Sequence, residues 1–101
     1  RFIARASRWD GACPFKMDAK GQMAMLTADD VREMKVTLEA GRKNRPLDIV
    51  VGGATGSLAK TAAAAKINEM AEAGATWWSE FGMQTGAQLR KRIQQGPPRF
   101  D

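Results

Sequence analysis

The chain has 101 residues, of which 44% are apolar and 27% charged, a composition suited to one soluble globular domain. Sixteen basic residues against 11 acidic ones give a formal charge of +5. No run approaches the roughly 20 apolar residues that a membrane-spanning helix requires. The length also falls far short of the roughly 250 residues of a complete eight-stranded (β/α) barrel.

The opening segment, RFIARASRWDG, is basic but lacks the uninterrupted apolar stretch of a signal peptide. Cys13 is the one cysteine, which excludes an internal disulfide and points to a reducing, cytoplasmic compartment. There is no histidine, and one thiol with scattered carboxylates makes no metal site. No metal is therefore expected.

Residues 1–8 read as the end of a helix, with Phe2, Ile3 and Ala6 at helical spacing and Arg1, Arg5 and Arg8 between them. No N-cap precedes them, so the sequence is expected to start inside an element. Residues 9–13 form a short strand candidate stopped by Pro14, and residues 15–26 read as a long loop. Thr27 then opens a helix with Asp29 and Asp30 in its first turn. Val31, Met34, Val36 and Leu38 supply its apolar face, and Gly41 marks its stop.

After Arg45-Pro46, residues 47–51 (LDIVV) are the best strand in the sequence. The turn GGATGS follows, then an Ala-rich helix over 58–73 with Leu58, Ile67 and Met70 on its apolar side. Gly74 ends it. Residues 75–81 (ATWWSEF) give another strand, and residues 87–95 a last helix stopped by Gly96-Pro97-Pro98. Strands alternating with helices indicate βαβ crossovers and a parallel sheet. With no linker or low-complexity segment, residues 1–101 are expected to form a single α/β unit.

Three features could carry chemistry. Gly52-Gly53-Ala54-Thr55-Gly56-Ser57, between strand and helix, could bring backbone N–H groups to a phosphate. It lacks the Lys-[Ser/Thr] of a P-loop and the spacing of GxGxxG. The structural alternative is a tight turn with Thr55 or Ser57 as N-cap. In the last strand, alternation places Thr76, Trp78 and Glu80 on one face and Trp77, Ser79 and Phe81 on the other. Glu80 lies where parallel α/β sheets place ligand contacts. A helix-end salt bridge would also explain it, and core packing is the expected role of the tryptophans. Cys13 has no base to activate it, so a buried or half-buried structural thiol is expected. The six methionines read as core and loop filler.

Arg42, Lys43 and Arg45, together with Arg90, Lys91 and Arg92, invite a nucleic-acid reading. Two of the basic clusters lie near helix C-termini, where cations complement the dipole, and the aromatics fall mostly in apolar contexts. The usual footprint is absent, and nucleic acid is not the expected partner.

Four stretches carry a family resemblance: RASRWDGACPF, TADDVR, LDIVVGGATG, and EAGATWWSEF with the tail RIQQGPPRF. In this order they resemble the C-terminal part of the luciferase-like monooxygenases, the flavin- or deazaflavin-dependent oxidoreductases of the bacterial-luciferase fold. The resemblance implies a partial TIM-type (β/α) barrel, with about three parallel strands alternating with helices and corresponding to the last third of that barrel. It implies FMN or the deazaflavin coenzyme at the C-terminal face, with hydride transfer or oxygen activation as the chemistry. Cys13, Gly52, Gly53 and Glu80 remain as rim contacts to the cofactor, and no catalytic residue is indicated. Ala12-Cys13 departs from the aromatic or aliphatic residue usual after Asp-Gly in the family.

Three parallel strands cannot close a barrel, so sheet edges and one apolar face are expected to be uncovered. The partners expected are the N-terminal part of the barrel or a further copy of the chain, as a homodimer or higher oligomer. Alone, the chain is expected to be inactive and without a cofactor of its own. The alternative is a non-catalytic α/β structural or interaction protein that assembles through its exposed sheet.

Overall fold

The computed structural model describes residues 2–82 and 84–97, apart from the side chain of Phe2. The expectations for Arg1, for Phe2 on its helix face and for the tail from Pro98 onward lie outside the described residues. The elements run α1 (Phe2–Ala6), β1 (Gly11–Ala12), β2 (Lys16–Met17), β3 (Met23–Ala24), α2 (Ala28–Ala40), β4 (Asp48–Gly53), α3 (Lys60–Ala73), β5 (Trp77–Glu80) and α4 (Gly86–Gln94). This is a mixed α/β fold. Its three-stranded sheet has the order β1-β4-β5, and both pairings are parallel.

Helix α2 carries the strongest local signal. Thr27 Oγ1 accepts the Asp30 amide N–H at 3.1 Å, and Asp30 Oδ2 accepts the Thr27 N–H at 2.8 Å. This is a capping box with aspartate at the third position. Helix α3 starts differently from expectation. Its N-cap is Ala59, with no side-chain cap, so neither Thr55 nor Ser57 plays that part. Leu58, expected on the apolar side of this helix, lies before it and is exposed.

The core lies on one side of the sheet. Ile49 and Val51 of β4 are buried against Val31 and Leu38 of α2 and Met70 and Ala73 of α3. The residues between and beside them point the other way: Asp48, Val50, Gly52, Trp77, Ser79 and Phe81 are not buried. Alternating burial along β4 is what one-sided covering produces. Trp78 packs against the core as expected, whereas Trp77 is 63% exposed. Trp77 belongs to the open face of an edge strand, so core packing is corrected for that residue.

Arg42 ties together the segments that enter the sheet. Its guanidinium donates to the carbonyls of Ser7 (3.0 Å), Arg45 (3.3 Å), Trp9 and Pro46. Arg45 pairs with Asp10 at 2.8 Å across the same gap. Within the first basic cluster, two side chains thus bind the chain itself.

Residues 15–26 are not a plain loop, because β2 and β3 pair as an antiparallel hairpin. Asp18 Oδ1 accepts the N–H groups of Lys20 (2.8 Å) and Gln22 (2.9 Å), and Gly21 at φ 75° completes the turn. Lys16 anchors the hairpin to α2 by donating to Asp30 Oδ2 at 2.7 Å. That bond, with the donors from Thr27, lowers the Asp30 pKa from 3.8 to about 2.

Because Asp30 is acidified in the folded state, its contribution is complete above pH 3.8 and is lost as pH falls through about 2. A carbon-detected NMR titration should place the Asp30 midpoint near 2, and Lys16→Met should move it back toward 3.8. In urea melts, Ile49→Ala should cost about 2–4 kcal/mol. Val36→Ala, at a helix position 69% exposed, should stay within about 0.5 kcal/mol.

Candidate functional site

The C-terminal ends of β1, β4 and β5 open on one rim, as parallel pairing requires. Strand β4 runs through Gly52 and Gly53, so both glycines belong to the ladder and not to the turn. Their missing side chains are used by rings from β5. A Cβ on Gly52 would lie 2.3 Å from the Phe81 ring, and one on Gly53 would lie 2.6 Å from Trp78. The two rings rest on opposite faces of the strand, each against one glycine. The glycine pair therefore admits two aromatic side chains at a distance no other residue allows.

On the helix-covered face, Glu80 bridges β5 to the turn after β4. Its carboxylate accepts the Thr55 N–H at 2.6 Å, the Thr55 hydroxyl at 2.8 Å and the Trp78 indole N–H at 2.8 Å. Partial burial opposes ionisation of Glu80. The bonds donated by Trp78, by Thr55 and by the Gly56 backbone outweigh it and hold the pKa below its ordinary value of 4.5. Thr55 is 3% exposed, and its side chain is satisfied by this one carboxylate. Glu80 thus fastens the βα turn, which neither reading of Glu80 from sequence anticipated.

On the open face, Cys13, Phe15, Met23, Met25, Gly52 and Phe81 line a cavity of about 240 Å³ between the hairpin and the strand ends. The thiol is exposed, which corrects the expectation of a buried cysteine. Within this rim, Cys13 and Gly52 meet at the cavity. Gly53 and Glu80 belong to the opposite face of the sheet. Sequence reasoning missed Phe15, Met23 and Met25, although an Asp18…Gly21 turn between two Met-containing segments is a hairpin signal.

A flavin or deazaflavin coenzyme brings a phosphate. At the turn, the Thr55 and Gly56 N–H groups are already directed at Glu80, and a phosphate there would meet a carboxylate. A Cβ on Gly56 would lie 3.1 Å from Gln84 Nε2 and 3.8 Å from Arg92 Nε, so these two side chains stand beside the turn. The described residues of this turn do not fit a phosphate, and no chemical step is derived through the cofactor. Among the described residues no cluster of ligands for a metal ion occurs, and no helix is long and apolar enough to cross a membrane. Trp9, 71% exposed, stands with Arg5 and Arg8, so one aromatic does lie among basic residues.

Compared with known proteins, the chain matches no family model, no curated protein and no solved structure.

Since folding lowers the Glu80 pKa, its stabilisation is present above the ordinary value of 4.5 and fades as pH falls through the folded value. Glu80→Gln should remove this acid sensitivity and cost about 1–2 kcal/mol at neutral pH, because one amide oxygen cannot accept from all of these donors. Urea melts at several pH values, followed by Trp fluorescence, measure both effects.

Proposed function

We propose that this chain is the C-terminal segment, or a truncated relative, of a luciferase-like oxidoreductase dependent on FMN or a deazaflavin coenzyme. In this reading it forms about the last third of a (β/α) barrel. The observation that carries the reading is the mismatch between composition and covering in β4. Ile49, Val50 and Val51 form the continuous apolar run of a parallel strand buried on both faces, yet helices cover only one. The run of parallel strands alternating with helices, with the four family-like stretches in order, supports the same reading.

The cofactor of that family supplies hydride transfer. This chain's residues would contribute part of the rim around it, with Cys13 and Gly52 on the open face. The phosphate grip and the reacting groups come from the upstream barrel. Isolated, the chain neither holds the cofactor nor turns over.

A second reading is a non-catalytic interaction protein that covers the same face with a further copy of itself. The exposure of Trp77 (63%) and Phe81 (43%) on that face favours it.

Titrating FMN and the deazaflavin coenzyme into the 101-residue chain and into the natural full-length protein tests the first reading. Fluorescence quenching is expected with the full-length protein alone. Its absence there would overturn the reading, and micromolar binding by the short chain would overturn the claim that it is inactive by itself. Light scattering on the short chain decides the second reading, which a clean monomer refutes.

A further inference from the structure

We propose that the groove lined by Arg5, Arg8 and Trp9 binds single-stranded nucleic acid. Trp9 stacks on a base there, and the two guanidiniums hold the phosphates on either side of it. The groove lies where the chain enters β1, at the end of the sheet opposite the rim formed by the strand C-termini. Its volume of about 320 Å³ falls at the lower end of the roughly 300–1,000 Å³ of small-ligand sites and suits one nucleotide unit.

Local structure assembles the groove. After α1, the Trp9 N–H donates to the Ala6 carbonyl at 3.0 Å, and the Arg8 N–H to the Arg5 carbonyl at 3.2 Å. This turn sets the indole beside both arginines. Arg42 donates to the carbonyls of Ser7 and Trp9, which fixes the turn from behind. Trp9 is thus held at its backbone while its side chain stays in solvent, 71% exposed.

The charge facing the groove is positive. Among the described residues, the side chains of Arg5 and Arg8 make no salt bridge or hydrogen bond, whereas Arg32, Arg42 and Arg45 are each committed to partners within the chain. Asp10, the nearest carboxylate in sequence, is taken by Arg45 at 2.8 Å. A helix C-terminus repels anions through its free carbonyls. Here α1 has only five residues, and the carbonyls of Ile3, Ala4, Arg5, Ala6, Ser7 and Trp9 all accept hydrogen bonds from within the chain.

Guanidinium forks match phosphate oxygens, and an exposed indole between them calls for a flat partner. A nucleotide chain carries both at every unit. In a duplex the bases already stack on one another and cannot reach the ring, so a single strand is favoured. An acidic peptide would satisfy the arginines and leave the indole unmatched.

The molecule supplies two controls. Trp77 is 63% exposed, but the recess beside it is lined by Ile67, Met70, Ala71, Ala75, Thr76 and Trp78, with no cation. Arg90 and Lys91 are exposed cations on α4. The test is fluorescence anisotropy of the natural full-length protein with a labelled oligothymidylate of about 10 nucleotides. Saturable binding is expected, with log K falling against log salt at a slope of about −1.4, from two phosphates at about −0.7 each. Trp9→Ala should weaken binding about tenfold and leave the slope unchanged. Arg5→Gln with Arg8→Gln should bring the slope close to zero. Trp77→Ala, and Arg90→Gln with Lys91→Gln, should change neither quantity. All these side chains are exposed, so the variants should keep the fold, which circular dichroism checks.

Absence of saturable binding by the folded protein would overturn the proposal. Equal losses from Trp9→Ala and Trp77→Ala would overturn it too, as would equal slope changes from the α4 pair and the Arg5–Arg8 pair, since both results indicate diffuse adhesion. A duplex that binds as tightly as the single strand would remove the role of stacking. Polyglutamate that competes equally would assign the groove to acidic polypeptides instead.

Discussion

The fold depends on β4. Among the described residues it is the only strand paired on both sides, and its buried residues, Ile49 and Val51, are the surface against which both long helices pack. Each neighbouring strand reaches it through a helix, because parallel neighbours cannot be joined by a tight turn. Position along β4 thereby sets the position of everything else. Its start lies beside Asp10 and Thr76, its middle carries the core, and its end receives the rings of β5.

At that end, two glycines in succession solve a packing problem. Strand residues alternate in direction, so adjacent glycines clear space on both faces at one level of the sheet. Trp78 takes one side and Phe81 the other. The arrangement also fixes where Glu80 falls, between the two rings in sequence and directed at Thr55. The covered side of the rim becomes a closed hydrogen-bonded unit, and the open side becomes an apolar recess.

Much of the architecture was legible in the sequence. The Thr27–Asp30 start of α2, the β-branched run of β4 and the Gly74 stop are local signals with local causes, and they agree with the structure. The hairpin was not legible, since Lys16–Met17 and Met23–Ala24 are too short for alternation to register against a Met-rich background. Its stability comes from Asp18 and from Lys16 reaching across to α2. The site was harder still. Gly52 and Gly53 read as part of a turn, open to a phosphate or simply tight, because glycine is read first as a bend, whereas here it serves close approach within a strand. The role of Glu80 depends on Thr55, 25 residues away, a distance at which sequence patterns carry no signal.

The sheet has unlike ends. At the start of the strands, one guanidinium gathers carbonyls from Ser7, Trp9, Arg45 and Pro46 into a single node. A lysine could not reproduce that fork, because its three donors radiate from one atom. The Arg42 node works as a fixed mounting: the chain is clamped where it enters the sheet. At the far end the open side is instead lined by methionine and phenylalanine side chains, and the hairpin above them is held through the Lys16–Asp30 bond. Substitutions at the rim can therefore reshape what it receives while the frame beneath keeps its alignment.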